Sequence, residues 1–454
     1  MLVEFRGRCG VLAAFNLIFT VLFALRNNPM IWLLHVSYDT FNLFHRWTAR
    51  LVVLESLGHA SAFLYNTYQV EYNGKSGWHS IGWLLRRSSS YQFGLVALIT
   101  FGLLMIHSIR PLRHAFYETF LTLHRIGIFV SLSGVYFHLA KHALPQLPWI
   151  YLIITLLAVE FLVRAARILF YNFSWRRRHW TRVELEALPG KATRVTFTLP
   201  RSWNANPGSH VHIYLPRIAP FGSHPFSVAW SQSFGTLSSE KLPYTTDDLE
   251  VNHGPSAISC IIRSRRGMTR SLYNLATKSE SGQAHLWGAI EGPYGGRHSF
   301  DSYGTVVLFA GGVGITHQLS YVRHLVDAHN SSTAATRQIL LVWCITDLTV
   351  LDWVLPWLEQ LAAMQNFNDI VRIRLQVSRM TSLQLEGQSL PGYLDARPQR
   401  CDVQELIDEE ALAQVGAMAV SVCGPTGLSG SVRAAVRRRV VVRSIDFFEE
   451  AFSY

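Results

Sequence analysis

Apolar positions fall into two textures along the chain. Before residue 171 they form long runs, at roughly 11–26, 41–68, 92–109, 118–140 and 149–170. Each run is near the ~20 residues that span hydrocarbon as a helix. The first is short and lacks the small-residue cleavage site of a signal peptide, so it reads as a retained helix. Five spans put the two chain ends on opposite sides of a bilayer. From about residue 181 the runs shorten and take β character, at Arg182–Leu185, Val195–Leu199, Val211–Leu215 and Ile258–Ile262, with Pro and Gly between them. After about residue 300, strand runs such as Thr305–Ala310 and Ile339–Cys344 alternate with helical stretches, the pattern of an α/β domain. The polar stretch Leu237–Pro255 reads as a loop insertion.

Composition agrees with a membrane segment joined to a soluble half. Of 454 residues, 16% are charged and 49% hydrophobic, and mean hydropathy is +0.17. Disorder, collagen and coiled coil are excluded on those values. The net charge of +11 forms no basic stripe with interleaved aromatics, so nucleic acid is not an expected partner. Five cysteines without CxxC spacing indicate neither a disulfide framework nor a zinc site. Arg110 and Arg113 after the third span, and Arg176, Arg177, Arg178 and Arg182 after the fifth, place those ends in the cytoplasm. Lys75, Arg86 and Arg87 fall on the opposite side.

Two spans repeat one pattern. His45-Arg46 precedes His59, and His124-Arg125 precedes His138, both histidine separations being 14 residues. That is about 21 Å along a helix and close to four turns, so the histidines of each span share one face. Side by side, the two helices would form two histidine pairs at two depths. A single intramembrane histidine is ordinarily bonded to a neighbouring helix; the duplicated spacing points instead to haem iron held on both sides, which leaves no open position and suits electron transfer. Gly58, Gly127 and Gly134 would let a macrocycle approach the backbone, and Arg46 and Arg125 would pair with its propionates. Glu55, one turn before His59, is either hydrogen-bonded or linked to proton balance.

The soluble half carries cofactor-type turns. His224-Pro225-Phe226-Ser227-Val228 ends the β-rich stretch and suits a flavin edge, with the aromatic flanking the ring. Arg263, then Gly267-Met268-Thr269-Arg270, precedes a helical run whose start can hold a pyrophosphate. Glu291-Gly292-Pro293-Tyr294-Gly295 follows. The strand Thr305–Ala310 then leads into Gly311-Gly312-Val313-Gly314-Ile315-Thr316, a dinucleotide cradle in form. Cys423-Gly424-Pro425 closes another strand and either sets a thiol where a nicotinamide can lie or is a plain strand-end turn. The C-terminal Phe448-Glu449-Glu450-Ala451-Phe452-Ser453-Tyr454 offers an aromatic that stacks on a flavin, or is a packed tail.

Taken together, the double H-x13-H, HPFSV, IIRSRRGMTR, EGPYG, GGVGIT, VCGP and FEEAFSY resemble the fungal ferric-chelate reductases, relatives of the NADPH oxidases. The resemblance covers nearly the whole chain. It implies a transmembrane haem bundle over 1–175, a flavin-binding β-barrel over 176–299 and a ferredoxin-reductase-like α/β nucleotide domain over 300–454. It implies two b-type haems, an inner one on His45 and His124 and an outer one on His59 and His138. FAD would take His224 to Val228, Arg263, Gly267 and Thr269. NADPH would take Gly311 to Thr316, Gly424 and Pro425, with Cys423 and Glu450 shaping the nicotinamide pocket and Tyr454 gating it. Family members usually have at least one more helix ahead of the first one here, so the first helix or helices are expected to be missing. Relatives often have an Arg near Thr346; without it, Arg379 is the other candidate for the 2′-phosphate.

The implied function is electron transfer from cytosolic NADPH through FAD and both haems to ferric, or cupric, chelates outside the cytoplasm. Plasma membrane is the expected location, membrane lipid a partner, and an iron permease or multicopper oxidase a coupled one. A superoxide-producing NADPH oxidase and a truncated non-catalytic isoform are the alternatives.

Overall fold

The computed structural model describes residues 1–454 except 176–177, 221, 234–255, 297, 441–442 and 451–454. The expected loop Leu237–Pro255 and Tyr454 therefore lie outside the described residues. Met1–Ala166 forms one compact unit and Arg167–Ser453 another.

The first unit is helical. Its long helices are α1 (Leu2–Ala24), α2 (Tyr38–Gln69), α4 (Ser89–His107), α5 (Tyr117–Ala140) and α6 (Leu147–Asn172), and they coincide with the five apolar runs. Between α2 and α4 lies α3 (Trp78–Arg87), which the apolar pattern did not predict because it is short and half polar. Among the described residues, three helices, α1, α4 and α5, are long and apolar enough to cross a membrane by length and composition. Exposed Leu51, Leu54 and Leu57 on α2, and Leu123, Ile126 and Phe129 on α5, leave apolar side chains facing outward. In water that would be costly; in lipid it is not. A small core of Leu17, Val21, Val52, Phe101, Leu132, Ile150 and Ile153 ties the helices together.

Two carboxylates of the helical unit are satisfied locally. Glu160 of α6 is buried and accepts the backbone amides of Arg26 and Asn27 at 3.2 and 3.1 Å, just past the end of α1. Glu55 of α2 takes both its oxygens to the Asn16 amide of α1, at 2.8 and 3.0 Å. That answers the hydrogen-bonding half of the Glu55 question.

The second unit opens with antiparallel strands. These are β1 (Arg182–Leu188), β2 (Ala192–Leu199), β3 (Ser209–Tyr214), β4 (His224–Ser227), β5 (Trp230–Ser233), β6 (Ser256–Arg263), β7 (Gln283–Trp287) and β8 (Ala289–Gly295). They form a five-stranded sheet, β5-β6-β2-β1-β7, and a three-stranded sheet, β8-β3-β4. Alternate residues such as Val183, Leu185, Val195, Phe197, Val211 and Ile213 point into one shared core, as the two-residue period of a strand requires. Helix α7 (Met268–Thr277) buries Met268, Leu272 and Ala276 against it.

Six parallel strands follow: β9 (Thr305–Gly311), β10 (Gln338–Ile345), β11 (Val371–Val377), β12 (Leu394–Arg397), β13 (Met418–Cys423) and β14 (Ile445–Glu450). Their order is β12-β11-β10-β9-β13-β14. All seven residues of β9 are buried, as expected of a parallel strand covered on both faces. Helices α8 (Ile315–Asn330), α9 (Val403–Ala413) and α10 (Thr426–Arg439) contribute to the covering layers.

Arg194 joins the barrel to the parallel-sheet part, donating to Trp353 O at 3.0 Å, and Trp353 Nε1 donates to Pro189 O at 2.7 Å. Trp230 and Trp357 stack with ring centres 5.8 Å apart and planes within 6°.

Candidate functional site

In the membrane unit, α1 packs along α2 and α4 along α5, so the histidine-bearing helices α2 and α5 each have another helix behind them. The rings of His45 and His124 stand 6.3 Å apart between centres, and those of His59 and His138 6.2 Å apart. Three of the four histidines are anchored the same way. Nδ1 of His45 meets Thr20 O at 2.8 Å, Nδ1 of His59 meets Arg6 O at 2.8 Å, and Nδ1 of His138 meets Ser90 O at 2.9 Å. A carbonyl only accepts, so each Nδ1 must carry the proton, and Nε2 is left with its lone pair. This is how metal-ligating histidines are usually oriented from behind. His124 Nδ1 is buried with no hydrogen-bond partner among the described residues.

The spacing is chemically meaningful. A metal–imidazole bond is ~2 Å and the ring centre lies ~1 Å further back, so two rings on opposite sides of one metal stand about 6 Å apart. Among the described residues no group of three or more His, Cys, Asp and Glu is placed to hold a metal ion. Each pair has room, by its ring separation, for one metal between its two imidazoles.

Two glycines missed by the sequence reading back the outer pair. A Cβ on Gly10 would stand 2.7 Å from His59 Nδ1, and one on Gly94 2.9 Å from His138 Nδ1. The glycines singled out from sequence have other neighbours. A Cβ on Gly58 would meet Cys9 Sγ at 3.3 Å, on Gly127 Leu104 Cδ2 at 2.7 Å, and on Gly134 Phe93 O at 3.0 Å. They serve the close approach of α1 to α2 and of α4 to α5. Arg46 is exposed and Arg125 half-buried.

In the barrel, the register of β3 and β4 pairs His210 with Ser227, His212 with Pro225, Val211 with Phe226 and Ile213 with His224. Pro225 and Ser227 thus share a face with His210 and His212, while Phe226 packs against the barrel core. Phe226 itself is half-buried there. On the Ser227 face stand His210, His212 and Tyr294, with Tyr294 6.0 and 5.7 Å from the two imidazoles. Glu291, fully buried, accepts the hydroxyls of Tyr214 and Tyr294. Val228 is core, its amide bonded to Ser209 O at 2.9 Å.

Arg263 is exposed at the end of β6, and Gly267, with φ +58°, precedes α7. The Thr269 hydroxyl accepts Arg265 N at 3.0 Å and donates to Arg266 O at 3.1 Å. It shapes the basic turn that leads into the helix start.

At the centre of the parallel sheet the strand order reverses between β9 and β13, the switch point where such sheets bind ligands at their carboxyl ends. Ala310 pairs with Cys423, and Cys423 with Glu450, so the glycine turn, the thiol and the carboxylate meet there. The backbones are so close that a Cβ on Gly314 would lie 2.0 Å from Cys423 O, and one on Gly311 2.4 Å from Pro425 Cδ. Gly312 has φ +53° with open space around it, and Trp343 Nε1 holds its carbonyl at 2.9 Å. The amides that open α8 point from this turn, a natural phosphate seat. Ile315 is core, and the Thr316 hydroxyl bonds Val313 O at 2.9 Å.

Burial, with the Glu450 charge beside it, pushes the Cys423 thiol up to about 12, so it stays protonated. His317, one residue past the motif, is buried next to Tyr321 and is held neutral, its pKa brought down to about 3 by burial and by the charges of His210 and His298. No local pattern marks His317, because its environment comes from the barrel: a Cβ on Gly208 would touch both His317 and Tyr321.

The sequence matches known proteins domain by domain. Residues 9–135 match the family "Ferric reductase like transmembrane component", residues 178–298 the family "FAD-binding domain", and residues 303–437 the family "Ferric reductase NAD binding domain". Ferric reductase transmembrane component 3 of Saccharomyces cerevisiae is 27% identical over 98% of this chain and 61% of its own length. Ferric/cupric reductase transmembrane component 2 of the same yeast is 27% identical over 98% and 60%. A probable cell surface ferric reductase, kap2, of Aspergillus oryzae is 28% identical over 76% and 44%. The chain thus spans about 60% of the length of the first two relatives or less than half of the third. The chain thus carries, in order, a domain like the ferric reductase transmembrane component, a FAD-binding domain and a NAD-binding domain of the ferric reductase type.

Proposed function

We propose that this chain is a transmembrane metalloreductase that moves electrons from NADPH, through FAD and two bis-histidine haems, to ferric or cupric chelates on the far side of the membrane. The observation that carries the reading is the double histidine pair. Both pairs have the ring separation of two ligands on one iron, and in each at least one imidazole is turned by a backbone carbonyl so that Nε2 is the ligating nitrogen. His45 with His124 would hold the inner haem, His59 with His138 the outer. Six-coordinate haem passes electrons without binding oxygen at the iron. Bound flavin converts a hydride into single-electron steps.

The protein's own part is placement. The Gly311–Thr316 turn and the start of α8 seat the nucleotide phosphates, and Cys423 and Glu450 border the nicotinamide. Because the thiol stays neutral, Cys423 acts as a small packing and positioning group rather than a nucleophile. Arg379, exposed past the end of β11, is the candidate for the 2′-phosphate. Ser227, Pro225, Phe226, Arg263 and Gly267 line the flavin side, and Tyr294 stands on the Ser227 face. Barrel and nucleotide domain face the cytosol at the plasma membrane, where NADPH is available.

Substitution separates the two haems. His45→Ala or His124→Ala is expected to halve haem content and leave the outer haem's spectrum; His59→Ala or His138→Ala is expected to do the converse. Pigment extraction per protein, with visible spectra, reads this directly. Unchanged haem content in all four variants would remove the basis of the reading.

A further inference from the structure

The end of the membrane unit beyond His59 and His138 holds an unbalanced set of cations. Residues 70–91 and 141–146 contain Lys75, Arg86, Arg87 and Lys141 but one acidic residue, Glu71. All four cations are exposed, and none is in an ion pair among the described residues. The positive-inside bias concentrates cations at the cytoplasmic end. Helix α6 begins at this end, at Leu147, and runs 26 residues before the flavin-binding domain begins. A basic cluster here needs another cause.

The cluster is built rather than loose. Ser80 Oγ donates to Val70 O at 2.7 Å and to Lys75 O at 3.0 Å, fixing the 70–77 turn on α3. Tyr72 stacks on Trp83 at 4.9 Å, and the Arg87 guanidinium lies 5.0 Å from the centre of the same ring. Gln92 Nε2 donates to Leu85 O at 2.9 Å and so closes the corner between α3 and α4. Three residues after Arg87, Ser90 holds His138 through its carbonyl, and its hydroxyl donates to His138 O at 2.8 Å. Tyr91 sits 6.2 Å from His142 and 4.6 Å from Phe63, which is four residues past His59. The cations are therefore tied, by one to a few residues, to the layer that holds the outer histidine pair.

We propose that this end is the docking surface of the terminal acceptor, and that its cations select anionic ferric chelates of the polycarboxylate class. The inference rests on the proposed function and adds the acceptor's charge and the residues that recognise it. Guanidinium forks match carboxylate geometry, and uncompensated surface charge raises the encounter rate of an opposite charge. The step itself forms no bond: each Fe(III) chelate gains one electron and becomes Fe(II), two per NADPH, with one proton released.

The test uses the full chain in membranes and two acceptors of opposite charge, ferric citrate and hexaammineruthenium(III). Protein reduced with dithionite is mixed with each, and haem reoxidation is followed. This reads the acceptor step without the nucleotide path, so a failure of NADPH to reduce the haems would count against the proposed function and leave the docking test standing. Arg86→Glu with Arg87→Glu is expected to slow ferric citrate by about tenfold while the ruthenium cation reacts as fast or faster. Arg86→Lys with Arg87→Lys keeps the charge and is expected to stay within about twofold of the parent. Raising salt should slow citrate in the parent and not in the double Glu variant. Equal effects on both acceptors, or none on citrate, would overturn the assignment.

Discussion

An imidazole whose Nδ1–H is engaged by a carbonyl has only its Nε2 lone pair left to offer, and in this chain the carbonyls of Arg6, Thr20 and Ser90 make that choice for three histidines. The glycines behind two rings test how tightly it is made. A methyl group on Gly94 would sit 2.9 Å from His138 Nδ1, so Gly94→Ala is expected to turn the ring and lose the outer haem while retaining the inner, read as haem per protein falling by about half. Retention of both haems with an unshifted spectrum would show that the ring is free to move. A second residue-scale effect lies in the soluble unit. His317 is neutral when folded, with a pKa of about 3 against 6.5 when exposed. Between those values the unfolded chain binds the extra proton, so folding stability falls as pH drops from 6.5 towards 3, by up to ~1.4 kcal/mol per pH unit. Replacing His317 with Gln is expected to flatten that acid limb; thermal melts between pH 4 and 7 would show it, and an unaltered slope would assign the acid loss elsewhere.

Elements explain which parts of the site could be read in advance. The strands were legible because alternation is local: β2 buries every second residue from Val195 to Leu199. The four histidines were legible because their spacing is repeated. What escaped were contacts between elements. Gly10 and Gly94 matter only because α1 and α4 lie against His59 and His138. Tyr294 comes beside His210 only through the β3–β8 register, while Phe226 lies half-buried against the barrel core. Close crossing of β9 and β13 gives a sharper prediction. Gly314→Ala would drive a methyl group to 2.0 Å from a backbone carbonyl, more than side-chain motion can relieve, and is expected to cost well over ~2 kcal/mol. A melting temperature of the soluble unit unchanged from the parent would contradict the crossing. Trp357→Ala removes the partner of Trp230 and a cation–π contact with Arg194 at 5.2 Å. A loss of about 3 kcal/mol is expected for truncating a buried Trp, seen as earlier unfolding in denaturant.

At the scale of the whole molecule, the proposed path runs from a nucleotide and flavin site in one compact unit to the paired histidines of the other. On that proposal electrons pass in turn from nucleotide to flavin, to the inner and outer histidine pairs, and to the acceptor. Cutting any one link would leave the others intact yet idle, which is why no single soluble assay tests the account. The measurement that does is the visible spectrum of membranes containing this chain, recorded without oxygen, first on adding NADPH and then on adding ferric citrate. Haem bands that sharpen to the reduced form with NADPH and return to the oxidised form with citrate are the predicted result. Bands that appear with dithionite alone, and never with NADPH, would contradict an unbroken path from nucleotide to haem.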